Sequence, residues 1–479
     1  MIVHVLAVDY DGTIAEGGRV AATTAAALQR VRASGRKLLL VTGRLLSDLR
    51  GVCPDVDRMF DAVVAENGAL VYFPDRPELR ALGAAPEPEL LESLRRRGVS
   101  HELGTSIIAT QASFAEAALA AIRETGVERS LVFNKGSLML LPGGVTKGTG
   151  LAAALAAFDL SPHNLVGIGD AENDHAFLAM CEGAVAVADA VAALRERADY
   201  VTRGGAGAGV VEFIEEHILS DATRVIPGLA RHRLRVGWAS DGDPVTLPAH
   251  ASTLLVVGPS ASATSTLTGI LVERLAQAGR AFCLLDADGD HESLGELEGV
   301  LVLGGKSEQS LPTAEELAQL LRRPAGRLVL NLSHLTMPEK ALYATQTLRA
   351  VAGVRRAQGL PHWLIIDEAH HIVPAEGSPA AELLLMAGHP LALTTPTAEH
   401  IAREVRHTVG DLAATDTESF RQGLRTLAAD RGDRGPRPGV GANLEPGEAL
   451  LATLGDGAPR AVRFAVDRRE DAQRRPTGQ

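Results

Sequence analysis

Short runs rich in Val, Leu and Ile recur through the first 219 residues, at Val3–Val8, Lys37–Val41, Ala62–Ala65, Leu165–Ile168 and Ala184–Val187. Segments of helical period, such as Ala21–Ser34 and Thr149–Phe158, lie between them. Strands this continuously apolar need cover on both faces, and helices in the intervals supply it, so the alternation predicts an α/β fold with a parallel sheet. The stretch from about Pro74 to Pro142 breaks the rhythm and reads as an inserted lobe, with helices at Pro88–Arg97 and Phe114–Thr125 and strands at Ile107–Thr110 and Leu138–Leu141. A second α/β series follows. Leu234–Trp238 and Pro244–Leu247 flank Ser240-Asp241-Gly242-Asp243 as a hairpin, and further strands are expected at Thr253–Val257, Ala281–Leu285, Leu328–Leu332, Trp363–Ile366 and Leu391–Thr394.

At 479 residues the chain exceeds one ordinary core. The expected organisation is a first domain over residues 1–219 with its lobe at about 75–142, a linker at 220–231 containing Pro227-Gly228, a second domain over 232–468 and a disordered polar tail at 469–479. No apolar run reaches the roughly 18 residues of a membrane span. The start, Met1-Ile2-Val3-His4-Val5-Leu6, runs straight into a strand and lacks the marks of a signal peptide. Cys53, Cys181 and Cys283 lie far apart without metal-ligand spacing, which fits a cytoplasmic location. A net charge of -12 argues against a general nucleic-acid binder.

Asp9-Tyr10-Asp11-Gly12-Thr13 follows the first strand directly. Residues two apart on extended chain point the same way, so Asp9 and Asp11 converge at the carboxyl end of a strand, where open α/β sheets bind ligands. Three more segments gather at that edge: Val41-Thr42-Gly43-Arg44 ends the second strand, Lys147-Gly148-Thr149 opens a helix, and Gly169-Asp170-Ala171-Glu172-Asn173-Asp174 ends the strand Leu165–Ile168. Taken singly, Thr42 reads as a helix cap, Lys147 as a surface lysine and Asp170 as a turn residue. Their joint order at strand ends is what points to a site.

In these four motifs the chain resembles the haloacid dehalogenase (HAD) phosphatases, and within them the Cof-type branch that includes sucrose-phosphate and mannosyl-phosphoglycerate phosphatases. Ala65-Glu66-Asn67-Gly68-Ala69 and Ala198-Asp199-Tyr200-Val201-Thr202 are similar to segments of that branch. The resemblance covers residues 1–219 and implies a Rossmann-like sheet with an inserted α+β cap. It also implies a Mg²⁺-dependent phosphomonoesterase acting on a small phosphorylated metabolite, a sugar phosphate or related acid. Asp9 would be the nucleophile, forming an aspartyl-phosphate, and Asp11 the general acid and base. Thr42, Gly43, Lys147 and Asn173 would hold the phosphoryl group. Asp9, Asp170, Asp174 and the Asp11 backbone carbonyl would serve the metal. Asn67 reads equally as a site residue and as a turn residue, and Lys135 equally as a cap contact to substrate and as an exposed lysine.

In the second half, Gly258-Pro259-Ser260-Ala261-Ser262-Ala263-Thr264-Ser265 leaves the strand Thr253–Val257 where a phosphate-binding loop would. Gly258 and Ser265 match that pattern. Ala263 replaces its second glycine and Thr264 its lysine, so the charge that meets the β- and γ-phosphates is missing. Leu364-Ile365-Ile366-Asp367-Glu368-Ala369-His370 looks like a Walker B strand with its acidic pair, and with Leu285–Asp290 and Thr394–Pro396 it is similar to HerA/FtsK-type DNA-translocating ATPases. That resemblance implies a degenerate P-loop domain. It leaves open an assembly or regulatory scaffold, a homo-oligomer formed through this domain, and residual nucleotide binding. Residues 231–479 carry 26 Lys and Arg against 30 Asp and Glu, which gives no support to strong DNA binding. The rival readings are a nucleotide-dependent nucleic-acid processing protein with an accessory HAD domain, and a non-catalytic sensor of a phosphorylated ligand. His370-His371 reads as structural, because no carboxylate or cysteine spacing completes a metal site.

Overall fold

The computed structural model describes residues 3–76, 78–134, 136–220, 232–250, 253–259, 261–306, 309–376, 379–432, 444–445, 447–454 and 460–466. The proposed linker, apart from its first residue, and the proposed tail lie outside these residues, as does Lys135. The chain divides into two compact units, Met1–Ala230 and Arg231–Gln479.

The first unit is built on an eight-stranded sheet. Val5–Asp9 lies at its centre, paired in parallel with Leu165–Gly169 on one side and Lys37–Val41 on the other. Outward from Leu165–Gly169 come Gly183–Ala186 and Tyr200–Val201; outward from Lys37–Val41 come Ala62–Ala65, Leu70–Phe73 and Glu78–Ala81. Every residue of Val5–Asp9 is buried, as expected for a strand covered on both faces. The lobe was expected to start at about 75, but Glu78–Ala81 is the antiparallel edge strand of this main sheet. All four of its residues are exposed, so the segment shows no apolar pattern that would mark a strand. The lobe proper is a four-stranded antiparallel sheet in the order Arg129–Asn134, Ser137–Pro142, Ile108–Gln111, His101–Leu103, with the helices Pro88–Arg96 and Ala115–Thr125. Leu90, Leu94, Ile108, Ala118, Leu138 and Leu140 give it a core of its own.

The second unit holds an eleven-stranded mixed sheet. Seven parallel strands run in the order Val409–Ala414, Thr253–Val257, Leu391–Thr395, Trp363–Ile366, Phe282–Asp286, Arg327–Asn331, Val300–Gly304. Four antiparallel strands extend the Val409–Ala414 side: Glu448–Thr453, Arg460–Val466, Arg233–Ala239 and Pro244–Pro248. Thr253–Val257 enters from the expected hairpin and leaves into the helix Ala261–Gln277. Among the described residues no helix is long and apolar enough to cross a membrane.

Candidate active site

Asp9 is the last residue of the central strand, and its carboxylate lies within 4.8 Å of those of Asp170 and Asp174, all three buried. Lys147, the first residue of the helix Lys147–Ala157, places its Nζ 2.6 Å from Asp9 Oδ1 and 2.6 Å from Asp174 Oδ1. Thr146 caps that helix, accepting a hydrogen bond from the Thr149 amide at 3.2 Å while its own amide donates to Thr149 Oγ1 at 2.9 Å. The cap is what aims Lys147 inward.

Asp174 ties the turn together: its Oδ2 accepts the amides of Asp170 (2.8 Å) and Ala171 (2.9 Å). Thr13 donates to Asp170 Oδ1 at 2.8 Å and so links the first motif to the last. Burial pushes the Asp9 carboxyl well above its ordinary range, Asp174 pushes it further, and Lys147 only partly opposes them. Burial alone would lower the Lys147 ammonium, but Asp174 and Asp9 together raise it. Three buried carboxylates against one ammonium leave two negative charges unbalanced when all are ionised. A hard divalent cation fits that all-oxygen donor set.

Asp11 stands apart from this cluster. Its carboxylate is held by Arg44 through two hydrogen bonds, Nε to Oδ2 at 2.7 Å and Nη2 to Oδ1 at 2.8 Å, and Arg44 also pairs with Asp48 at 2.6 Å. Thr42 is buried, and its hydroxyl accepts the Arg44 amide at 3.2 Å. Asp9, Asp11, Thr42, Gly43 and Arg44 line one wall of a cleft of about 470 Å³. His101, Thr110, Gln111, Asn134 and Ser137 of the lobe line the facing wall.

Asn67 serves both as turn residue and as part of the site. It holds a left-handed backbone (φ 51°), and its Oδ1 accepts a hydrogen bond from Asn173 Nδ2 at 2.9 Å. Asn173 Oδ1 is sealed from solvent without a partner among the described residues, as an atom awaiting a ligand would be. Gly68 follows with φ 98°, and a Cβ there would fall on the carbonyl oxygen of Thr146, directly before Lys147.

The sequence reading missed Arg44 as the partner of Asp11. It also missed Glu66, whose carboxylate accepts the amides of Thr105 (3.0 Å) and Ser106 (3.2 Å) and so pins the lobe to the main sheet. Both belong to quoted segments, yet their partners are 33 or more residues away in sequence.

In the second unit, Ser265 donates to Asp290 Oδ2 at 3.2 Å, and Thr264 is buried. Asp367 accepts from Thr394 Oγ1 at 2.6 Å and lies 3.1 Å from His291 Nε2. Burial raises the Glu368 carboxyl to about 7, with Asp367, Asp288 and Asp290 adding to the effect. Beside His370-His371 the fold brings a carboxylate: the ligand atoms of Glu368, His370 and His371 all lie within 4.8 Å of one another. Sequence spacing hid this because Glu368 bends back in a left-handed conformation (φ 49°).

The family model of the haloacid dehalogenase-like hydrolases matches residues 6–87 and 101–214. The chain is 32% identical over 218 residues to a phosphoglycolate phosphatase of Methanothermobacter thermautotrophicus, an alignment that covers 44% of this chain and 96% of that protein. It is 31% identical over 221 residues to a phosphoglycolate phosphatase of Haloarcula marismortui, covering 44% and 95%. A solved haloacid dehalogenase-like hydrolase from Bacteroides thetaiotaomicron aligns with a TM-score of 0.39 at 19% identity, covering 44% of this chain and 98% of that one. The chain thus belongs to the haloacid dehalogenase-like hydrolases. It is a phosphatase of that type, and the family match lies wholly within the first unit.

Proposed function

We propose that the first unit is a Mg²⁺-dependent phosphomonoesterase for a small phosphorylated acid, with 2-phosphoglycolate as the leading substrate. The observation that carries the chemistry is the buried cluster of Asp9, Asp170 and Asp174 around one lysine. Asp9, Asp170 and Asp174 would hold the metal, which when bound neutralises the phosphate dianion that otherwise repels an anionic nucleophile. Asp9 attacks phosphorus and the ester oxygen leaves, taking a proton from Asp11; the phosphoryl group is then on Asp9 as an acyl phosphate. Asp11 next takes a proton from water, whose oxygen attacks phosphorus and frees Asp9 and inorganic phosphate. Lys147, Thr42, the Gly43 backbone and Asn173 steady the phosphoryl oxygens. Arg44 fixes the direction of the Asp11 carboxylate.

The substrate class rests on the activity printed for the relatives, and the polar cleft has room for a compact acid. The test is a panel of phosphorylated metabolites with Mg²⁺. The expected result is a kcat/KM for 2-phosphoglycolate at least about tenfold above those for hexose phosphates, a margin of ~1.4 kcal/mol in transition-state binding. Equal or better turnover of hexose phosphates rejects the acid and retains the phosphatase.

For the second unit we propose a degenerate P-loop scaffold. From Thr253–Val257 the chain goes on to Phe282–Asp286, on the Leu391–Thr395 side, and from the neighbouring Val409–Ala414 to Glu448–Thr453, on the other side, so a switch point of the kind where α/β folds bind ligands lies between these two strands. Asp367 ends a strand separated from Thr253–Val257 only by Leu391–Thr395. With Thr264 in place of lysine, ATP turnover at a translocase rate is not expected. ATPase activity of Asp9→Asn protein tests this, since robust turnover abolished by Glu368→Gln would restore a motor reading.

A further inference from the structure

Two clusters of metal-ligating side chains lie at the carboxyl edge of the second unit's sheet. The deeper one, Asp286, His291 and Asp367, is satisfied by its own surroundings. Asp286 accepts the amides of Gly289 (2.8 Å), Asp290 (3.1 Å) and His291 (3.0 Å). Asp367 has Thr394 on one oxygen and His291 on the other.

The shallower cluster is not satisfied in this way. His370 Nδ1 lies 3.2 Å from Glu368 Oε2, yet it is sealed from solvent and makes no hydrogen bond. Among the described residues no other donor reaches the Glu368 carboxylate. A cation between this ring nitrogen and the facing carboxylate oxygen would engage both. The His371 ring packs against His370 with centroids 4.0 Å apart, and the His400 ring stands 5.9 Å from that of His370. The fold holds these rings together: Pro374 bridges Ile401, and the Ala402 amide donates to the Val373 carbonyl at 3.1 Å. Glu368 is fixed in its left-handed conformation by donation of its amide to Thr394 Oγ1 at 2.8 Å.

We propose that Glu368, His370 and His371 form a binding site for a borderline transition-metal ion of the Zn²⁺ class, distinct from the cluster of Asp9, Asp170 and Asp174. Two nitrogens and one oxygen suit Zn²⁺ or Co²⁺, whereas Mg²⁺ takes oxygen. Ligand atoms about 2.0–2.1 Å from a tetrahedral zinc stand roughly 3.3 Å apart, and the Glu368–His370 separation already matches that edge. Small side-chain rotations bring in His371. Three protein ligands leave a fourth position open to water or to a further group, and the half-buried histidines leave solvent a route to it.

The test uses the full-length protein, stripped by a chelator and returned to excess Mg²⁺, with Zn²⁺ titrated by calorimetry and Co²⁺ followed by visible absorption. The wild type should bind one more Zn²⁺ equivalent than a His370→Gln/His371→Gln variant and show the intense bands of four-coordinate Co²⁺. Loss of an outer-shell partner alone costs about 10–100-fold in affinity, so loss of two ligands should weaken this equivalent by more than about 100-fold. Glu368→Gln, which keeps the side-chain shape, should weaken it at least about tenfold, which guards against misfolding of the double variant. Phosphatase activity should be the same in both variants and wild type. Equal Zn²⁺ stoichiometry and Co²⁺ spectra in wild type and both variants would overturn the proposal.

Discussion

At the residue scale, one positive charge is shared between two buried carboxylates. Lys147 reaches Asp9 and Asp174 together, so its removal unbalances both the nucleophile and the turn that carries Asp170. Lys147→Ala is expected to lower kcat by at least about 100-fold, as for loss of a preorganised electrostatic group, which steady-state kinetics will read directly. Arg44→Lys keeps the charge but loses the two-pronged grip on Asp11. Its kcat should fall about tenfold or more while KM changes little, because the interaction acts on a proton-transfer group. Gly68→Ala introduces both a strained left-handed alanine and a clash with the Thr146 carbonyl. It should destabilise the first unit and reduce kcat together, by denaturant titration and assay; an active variant of wild-type stability would show that this close approach is unimportant. Three of the four motifs were legible because they sit at strand ends, where period-2 geometry and glycine turns announce a site, and the fourth because Lys147 opens a helix. The Arg44–Asp11 and Glu66–Ser106 contacts were not, because a bond between residues far apart leaves no mark on local spacing.

At the scale of elements, strands with continuous apolar runs could be read almost to the residue: Lys37–Val41, Ala62–Ala65, Thr253–Val257 and Trp363–Ile366 stand where expected. Leu70–Phe73 and Val300–Gly304 are apolar runs that were passed over, whereas two other strands escaped because their pattern is diluted. Val409–Ala414 contains Gly410 and Asp411, and Asp411 is tolerated in the core because Thr453, directly opposite on the neighbouring strand, donates to it at 2.8 Å. Glu78–Ala81 is an exposed edge strand. The last turn of the long helix Met337–Gln358 carries a residue that sequence alone would place at the surface: Arg355 is buried and donates to the carbonyls of Pro361, His362, Ala387, Gly388 and Pro390. Burial lowers its guanidinium to about 10, still charged at neutral pH. Arg355→Met would remove a donor from each of those carbonyls and should cost about 3 kcal/mol in unfolding of the second unit. A change below about 0.5 kcal/mol would mean that water replaces it.

At the scale of the whole molecule, the chain joins a HAD phosphatase to a second α/β unit whose sheet has its own switch point and its own acidic edge. All four phosphatase motifs lie within residues 1–219, so that fragment should fold and retain kcat within about threefold of the full chain, a difference of ~0.65 kcal/mol in barrier. An inactive fragment beside an active full-length protein would make the second unit part of the catalytic machinery.

Catalysis through an aspartyl-phosphate requires that Asp9 carry the phosphoryl group. An acyl phosphate is reduced by borohydride to the alcohol, so an aspartyl-phosphate quenched during turnover becomes homoserine at the position that held it. Peptide mass spectrometry of wild-type protein quenched with 2-phosphoglycolate and Mg²⁺ should find homoserine at residue 9 and nowhere else, and none without substrate or in Asp9→Asn. Sustained turnover with no modification at residue 9, or with the label on another carboxylate, would contradict the account.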